Sequence, residues 1–290
     1  MRRAFGFVVT WSLFTGSIAC AVAEPEPWAD RTMTVRDGLV VWLDAARLPA
    51  AWQASGKSLM PGAAIDVWYD ASGNGLHVVQ RMHDSQPRYF VAGDRAVVRF
   101  DGKDDFLAVD QPGRQAADGK SSPAKNAGAT TREIERFTAF VVAAPRSNAG
   151  FFRAFLAAHE LGKNDYTTGF NIDMSGPASD SFNQINAEGR GFGGASNLMR
   201  SPLPFGSFHT IELICEPGPQ GVRLFVDGQT AGTRKRDPGT LRLDGLFVAA
   251  RCYSNSPEPP AMGSFLDGDI AEVLLYRRTL SDDERATVRD

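Results

Sequence analysis

The C-terminal segment, residues 263–290, places the strongest constraint on what this chain can fold into. A turn rich in Gly and Asp runs into the apolar stretch 270–276, and Ser281-x-x-Glu284 follows shortly after it. In such a capping box the Ser hydroxyl accepts from the amide of the Glu, and the Glu carboxylate accepts from the amide of the Ser, so a short helix should begin here. One apolar strand followed by one late, short helix is typical of the end of a β-sandwich and not of an α/β enzyme.

The rest of the chain agrees with an all-β, antiparallel sandwich that carries one short C-terminal helix. The 290 residues include 29 Gly and 17 Pro, which suits many strands joined by turns. Further strand-like stretches lie at 39–43, 65–69, 97–100, 106–109, 137–144, 151–158, 169–174, 182–187, 208–215, 222–226 and 241–250. The length fits one large β domain over residues 38–290, preceded by a polar linker at 24–37. The polar segment 110–133 predicts a long excursion from that domain.

Residues 1–23 predict a cleaved signal peptide. Two arginines form its positive start, an uncharged stretch follows, and a small-x-small cleavage site ends at residue 23. Cleavage places the protein in the periplasm, outside the cell or on the cell surface, without insertion into a membrane. Two alternatives stay open, because residues 4–23 are long enough to form an uncleaved anchor and Cys20 could be a lipoprotein cysteine.

Charge and cysteine content narrow the class of partner. The formal net charge is −3, and loss of the two leader arginines lowers it by a further two. A mildly acidic chain argues against nucleic acid as a partner. The basic cluster 234–236 is too small to change this and predicts a solvated hairpin tip. Cys215 and Cys252 remain after cleavage, and export allows them to form a disulfide. Two buried free thiols are the equally open alternative.

Several blocks of sequence resemble one known class of domain. GLVVWLDA (38–45), VWYDASGNG (67–75) and VRFDGKDDFLAV (98–109) resemble the opening of concanavalin A-like lectin/glucanase domains of the laminin-G-like type, and VRLFVDGQTAG (222–232) and GDIAEVLLYRRTLSDDER (268–285) resemble their end. The resemblance covers roughly residues 35–290. It implies a jelly-roll β-sandwich of a secreted bacterial type, with a glycan or an extracellular protein as the partner. Fold similarity does not carry function, so each site needs its own argument.

Catalytic motifs of the related enzymes are missing from the sequence. Glucanase relatives use Glu-x-Asp-x-x-Glu on a strand, which points the carboxylates into one cleft, and this chain does not contain it. The pair Glu133 and Glu135 lacks a third acid, and Asp267, Asp269 and Glu272 are interpreted as turn-forming or solvated acids. Alginate-lyase relatives use Gln-Ile-His, where this chain has Asn at position 186. An enzyme is therefore the less favoured interpretation.

Two acidic turns are candidates for calcium. Asp70, Ser72 and Asn74 place oxygen atoms at alternate positions of a Gly-containing turn, and hard oxygen ligands suit Ca²⁺. Asp70 and Asn74 are the residues predicted to bind the ion. The acids within 101–105 form a second turn of this kind. The alternative is that Asp and Asn serve only as turn residues.

Carbohydrate sites combine aromatic faces with planar polar groups, and one part of the sequence supplies both. The Gly-rich stretch 183–197 allows close backbone approach to a ligand, and an arginine there can pair with an acidic sugar. The predicted ligand-binding residues are Trp68, Tyr166, Asn183, Gln184, Asn186, Arg190 and Asn197. The alternative is that this stretch is only a connection between strands.

Three functional hypotheses follow from the sequence. The leading one is an exported, non-catalytic binding module for extracellular polysaccharide or cell-surface glycan. The second is an adhesion or structural domain that binds another protein, which a broad exposed apolar patch would favour. The third and weakest is a glycan hydrolase or lyase with an atypical site, which two carboxylates in a cleft, one with a raised pKa, would favour.

Overall fold

The structure is a computed structural model that describes residues 26–29, 33–109 and 133–289. The predicted signal peptide and nearly all of the polar segment 110–133 lie outside the described residues. In chain order the strands are β1 (Leu39–Asp44), β2 (Val67–Trp68), β3 (Val78–Val79), β4 (Arg88–Ala92), β5 (Arg95–Asp101), β6 (Leu107–Val109), β7 (Glu133–Ile134), β8 (Phe137–Pro145), β9 (Ala154–His159), β10 (Phe170–Asp173), β11 (Asn186–Gly189), β12 (His209–Cys215), β13 (Gly218–Val226), β14 (Gln229–Arg236), β15 (Leu241–Arg242), β16 (Gly245–Val248), β17 (Arg251–Tyr253), β18 (Ala261–Gly263) and β19 (Asp267–Tyr276). The α-helices are α1 (Leu48–Ala54), α2 (Asp165–Thr168) and α3 (Asp282–Arg289), and 3-10 turns cover Ala45–Arg47 and His83–Ser85.

Two antiparallel sheets form the body of the protein. The first sheet has the order β14-β13-β12-β8-β19-β5-β4. Both β5 and β1 pair with the same edge of β19, β5 with its N-terminal half and β1 with its C-terminal half. The second sheet has the order β11-β10-β9-β16-β6-β3-β2. This arrangement confirms the predicted all-β sandwich. The predicted short C-terminal helix is α3. Two further short helices, α1 and α2, are present, and both are too short to give a helical period in the sequence.

Alternation along the strands separates two apolar clusters. On β1 and β19, Val41 and Val273 point into the main core between the sheets. Trp42, Leu274 and Tyr276 point the other way and belong to a second buried cluster on the outer face of the first sheet. Successive side chains of a strand point to opposite faces, so both faces of this sheet must be covered. The helix α3 contributes to that cover through the partly buried Val288.

The capping box forms as the sequence predicts. The Ser281 amide donates to the Glu284 carboxylate at 2.9 Å, and the Glu284 amide donates to the Ser281 hydroxyl at 3.2 Å. Glu284 also accepts two hydrogen bonds from Arg278, and these bonds hold the pKa of Glu284 down to about 2. The start of α3 is therefore fixed by local contacts and tied to the end of β19.

Part of the predicted linker 24–37 packs onto the sandwich instead of standing away from it. Ala29 is buried in the outer cluster, and the Trp28 ring lies edge-on to Tyr69 with centroids 5.5 Å apart. The Tyr276 hydroxyl donates to the carbonyl of Val35 at 3.0 Å. The outward-facing apolar side chains of β1 and β19 explain this position, because the segment removes them from water.

The fold shows the positions of the two cysteines and of the basic cluster 234–236. Cys215 on β12 and Cys252 on β17 are both buried thiols, and no disulfide joins them. Burial raises the pKa of the Cys215 thiol to about 12. The basic cluster 234–236 is not a hairpin tip: it lies in β14, and Arg236 is fully buried. Within the described residues no helix has the length and apolar character needed to cross a bilayer.

Candidate functional site

Trp68 does not lie on a binding surface. Its side chain is fully buried in the main core, so the prediction that it contacts a ligand was wrong. Strand alternation is the reason: with Trp68 on β2 directed inward, the adjacent Tyr69 is only partly buried and contacts Trp28 and His77.

Most of the predicted polar ligand-binding residues make hydrogen bonds or contacts within the loops that contain them. The Asn197 side-chain carbonyl accepts from the amides of Ile185 and Met199, each at 3.0 Å. Its side-chain amide donates to the backbone carbonyl of Asn183, also at 3.0 Å. Arg190 is exposed and packs beside Gly239. The structure thus brings Asn183 and Asn197 together in one loop and places Arg190 beside Gly239.

The other two predicted residues, Tyr166 and Asn186, converge on a buried guanidinium. Arg251 on β17 is 1% exposed. Its Nη2 and Nε contact the two carboxylate oxygens of Asp165 at 2.7 and 3.1 Å, and its Nη1 contacts Asp173 Oδ2 at 3.0 Å. Glu188 is the third acid, with Oε2 at 3.4 Å from Nη2. One arginine thus neutralises part of the charge of three carboxylates.

Strand alternation brings these acids to the outer face of the second sheet. Asn171 and Asp173 on β10 lie opposite Glu188 and Asn186 on β11. Their neighbours along the strands point into the main core, so all four polar side chains point outward. Asn186 Nδ2 donates to both carboxylate oxygens of Asp173, at 3.1 and 3.2 Å. Bonds of this kind hold the network in one geometry.

Burial sets the protonation of the cluster. It raises the pKa of Asp173 to about 7, although the charge of Arg251 opposes this. Burial also raises the pKa of Glu188, whose side chain is 13% exposed. Burial alone would lower the pKa of Arg251, but the hydrogen bonds that it donates to Asp165 and the charges of the nearby carboxylates raise it, so the guanidinium stays charged. Near neutral pH Asp173 is therefore protonated in part of the molecules.

Aromatic rings surround this guanidinium. The Arg251 Cζ atom lies 4.5 Å from the centroid of Tyr253 and 5.2 Å from that of Phe152. Tyr166 on α2 lies edge-on to Tyr253 with centroids 6.3 Å apart, and its hydroxyl donates to the carbonyl of Ser254 at 3.0 Å. Cation–π contacts and this hydrogen bond together fix the orientation of the rings.

The backbone around these rings is strained. Among the described residues, five of the six non-glycine residues with positive φ lie here: Phe151 (64°), Phe152 (56°), Ser175 (64°), Ala249 (64°) and Ser264 (59°). Backbone hydrogen bonds hold two of them, since the amides of Phe151 and Phe152 donate to the carbonyls of Gly176 and Ser175. Phe151 is 73% exposed. Strained residues of this kind concentrate at functional sites.

Sequence reasoning missed the centre of this cluster. It selected Tyr166 and Asn186 but neither Arg251 nor the acids Asp165 and Asp173. A signal existed, because Arg251 follows a run of five apolar residues, LFVAA, in which a charge has no local partner. A buried charge needs a partner of opposite sign, but the sequence does not say which of 34 acids supplies it.

The predicted calcium residues form a hydrogen-bonded turn. Asp70 is fully buried, and its carboxylate accepts four hydrogen bonds: from the amides of Trp42, Ser72 and Leu76 and from the Ser72 hydroxyl. Asn74 directs its side-chain nitrogen to the carbonyls of Leu39 and Val40. A carboxylate has about four lone-pair sites, so these contacts do not fit a metal ion without rearrangement.

The second acidic turn brings its carboxylates closer together. One ligand oxygen each of Asp101, Asp104 and Asp105 lies within 4.8 Å of the others. Asp105 accepts from the Asp101 amide, and Asp104 accepts from the Ser85 hydroxyl. Burial and the charge of Asp101 raise the pKa of Asp105 to about 6. The turn is thus partly held by its own hydrogen bonds.

Comparison with known proteins gives a fold and no family. No protein-family model matches the chain, and no curated protein sequence matches it. Among solved structures, the Trypanosoma rangeli sialidase in complex with sialic acid is similar at 16% identity and a TM-score of 0.47, over 87% of this chain and 32% of the sialidase. The chain therefore spans about a third of that relative.

Two other similar structures cover more of their own chains. Domain 4 of an extracellular GH43 arabinanase from Geobacillus stearothermophilus, in complex with arabinotriose, has 10% identity and a TM-score of 0.42, over 68% of this chain and 78% of that domain. Botulinum neurotoxin type C, described as interacting with two ganglioside molecules, has 8% identity and a TM-score of 0.52, over 88% and 51%. Each is described with a carbohydrate-containing ligand. At 8% identity the similarity to the neurotoxin shows the fold alone.

Proposed function

We propose that this protein is a non-catalytic carbohydrate-binding module whose site lies on the outer face of the second sheet. The observation that carries the proposal is Phe151, an exposed aromatic side chain on strained backbone beside the ring of aromatic side chains around Arg251. A flat aromatic face next to fixed polar groups is the chemistry that binds a sugar ring, which has an apolar face and a rim of hydroxyls. Phe151 and Tyr253 supply the apolar contacts, and Glu188 supplies a carboxylate at the rim.

Binding fits the cluster better than catalysis does. Asp165 and Asp173 converge, and the pKa of Asp173 is raised, but both are fully buried and hydrogen-bonded to Arg251. A general acid must reach the atom that it protonates, and these carboxyl groups are covered. Their role in the proposed site is to hold Arg251 and the aromatic rings in place.

The domain class, the export and the ligand that the sequence predicts are part of the same proposal. We infer a concanavalin A-like, laminin-G-like sandwich that is exported and binds a glycan outside the cytoplasm. The two large antiparallel sheets support this class, as does the order of the resembling sequence blocks. The sialidase and the neurotoxin are described with sialic acid and gangliosides, which adds sialylated glycans to the candidate ligands.

Binding of the purified protein to a broad polysaccharide and glycan panel tests the proposal, in calcium and in chelator. We expect selective binding that Phe151→Ala weakens about tenfold, which is about 1.4 kcal/mol. Met60→Ala is the matched control, because Met60 is similarly exposed and far along the chain from the site. Calcium binding by Asp70 and Asn74 stays a prediction, and loss of glycan binding in chelator would support it.

The result that contradicts the proposal is the absence of binding to any glycan, or binding that Phe151→Ala leaves unchanged. In the first case the adhesion hypothesis takes first place, and Phe151 becomes a candidate contact for an extracellular protein. Release of reducing sugar from a bound glycan would instead show a hydrolase, contrary to the covered position of Asp165 and Asp173.

A further inference from the structure

A cleft of about 380 Å³ lies on the outer face of the first sheet, on the opposite side of the sandwich from the proposed glycan site. Its floor comes from β1, β19 and the 3-10 turn after β1, and its walls come from residues 33–35 and from 287–289 of α3. This volume is within the range of small-molecule sites. The cleft shares no residue with the cluster around Arg251.

Glu272 is the central group of the floor. It lies directly opposite Asp44 in the β1–β19 pair. Its Oε1 accepts from the indole Nε1 of Trp42 at 2.6 Å. Within the described residues its Oε2 has no hydrogen-bond partner, although the side chain is largely covered. Glu272 therefore presents a carboxyl oxygen in the lining of the cleft that can take a ligand as its hydrogen-bond partner.

Direct contacts hold the groups around Glu272 in place. The Asp44 carboxylate accepts from the Ala46 amide at 2.8 Å and pairs with Arg47 at 2.9 Å. The Arg47 guanidinium lies over the Trp42 ring, 5.0 Å from its centroid. Burial, followed by the charge of Asp44, raises the pKa of Glu272 to about 7. Glu272 can therefore both donate and accept a hydrogen bond near neutral pH.

Both signs of charge line this cleft. Asp44 and Glu272 oppose an anionic ligand, while Arg47 and Arg289 oppose a cationic one. Hydroxyl groups satisfy both kinds of lining group, because they donate to carboxylate oxygens and accept from guanidinium N–H groups. Met33, Val35 and Val288 add an apolar wall that suits the face of a sugar ring.

We propose that this cleft is a second binding site, specific for a neutral hydroxylated ligand such as a neutral mono- or disaccharide. Glu272 Oε2 and Asp44 bind ligand hydroxyls, and Arg289 donates from the helix wall. The inference goes beyond the proposed glycan site and does not depend on it. Two sites on opposite faces would allow one molecule to contact two glycan chains.

The side-chain N–H signal of Trp42 in a ¹⁵N-labelled protein provides a local test, with Trp42→Phe used to assign it. Neutral mono- and disaccharides, a uronic acid and an amino sugar are titrated separately into the full chain. We expect the neutral sugars to shift the Trp42 signal in a saturable way, and the charged sugars to bind at least tenfold more weakly. Glu272→Gln should weaken the neutral sugar about tenfold, and Thr287→Phe, which narrows the cleft without touching its floor, should abolish the shift.

Phe151→Ala separates this proposal from the first one. It should leave the Trp42 shift unchanged even where it removes binding at the second sheet. A protein whose Trp42 signal responds to no neutral sugar, or responds equally to all three sugar classes, would overturn the second site. A response that Thr287→Phe leaves intact in a folded protein would also overturn it, because the ligand would then lie elsewhere.

Discussion

The outer faces of the two sheets bury charge in opposite proportions. On the second sheet one guanidinium, Arg251, serves three carboxylates. On the first sheet one carboxylate, the fully buried Glu212 on β12, binds two guanidinium groups, Arg285 and Arg289 of α3. Outward-facing strand positions thus hold acids on both faces, and the guanidinium groups that pair with these acids come from β17 on one face and from α3 on the other.

The two faces also differ in what covers them. A regular helix with a capping box lies over the first face, and its backbone is relaxed. Loops with positive φ at five non-glycine residues lie over the second face. Strain persists only where surrounding contacts determine the conformation, and it often marks a functional site. This difference is why the second face carries the proposed glycan site.

Removal of Arg251 should have the largest effect. Arg251→Ala leaves three buried or half-buried carboxylates without their guanidinium and should lower the free energy of unfolding by about 3–5 kcal/mol. Arg285→Ala should cost less, about 1–3 kcal/mol, because Arg289 still pairs with Glu212. Denaturant unfolding measures both, with Arg200→Ala, at an exposed arginine, as the control. Equal losses for Arg251→Ala and Arg285→Ala would remove the contrast between the faces.

Asp70 supports the floor of the first face through the backbone amide of Trp42. Asp70→Ala leaves the amides of Trp42, Ser72 and Leu76 without this acceptor and should cost about 2–4 kcal/mol. If Asp70 acts only through these hydrogen bonds, Asp70→Ala should lower stability by the same amount in calcium and in chelator. Thermal unfolding measures this. A wild-type protein that calcium stabilises, together with an Asp70→Ala variant that calcium does not, would show an ion at this turn.

Each face contains one carboxyl group whose pKa burial raises to about 7, Asp173 and Glu272. The ordinary values are 3.8 and 4.5, so the folded state binds these protons more tightly than the unfolded state. The contribution of these two groups to the free energy of unfolding should therefore be greatest below about pH 4 and should decrease as the pH rises to about 7. Asp173→Asn and Glu272→Gln should each make this pH-dependent decrease in the free energy of unfolding smaller by about 1–3 kcal/mol.

Denaturant unfolding from pH 4 to pH 8 measures the fall for the wild type, the two single variants and the double variant. Because the groups lie on opposite faces, their contributions should add. A single variant that flattens the whole profile would show that only one face carries a raised pKa.

The smallest expected effect comes from the strain at Phe151. Glycine adopts a φ of 64° without the cost that Phe incurs, so Phe151→Gly should be neutral or stabilising by up to about 1 kcal/mol. Phe151→Ala keeps the strained backbone and should give no such gain. Both variants should weaken glycan binding about tenfold. A Phe151→Gly protein that is clearly destabilised would show that the side chain serves packing instead of binding.

Local patterns in the sequence were sufficient for several elements. The capping box at Ser281 and Glu284 formed as predicted, and β8 and β1 lie within one residue of the predicted strands. These features depend on residues only a few positions apart. The predicted exposure of Trp68 was wrong, because a two-residue strand does not say which of its faces meets the core.

The sequence by itself determined that the chain is an antiparallel β-sandwich closed by a short capped helix, because strand alternation and helix capping act within a few residues. Only the tertiary structure decided which charges meet. The acids around Arg251 lie 86, 78 and 63 positions away along the chain, and Glu272 faces Asp44 from the far end of the domain. Charge pairing depends on which strands become neighbours, and that order is set when both sheets pack around one core.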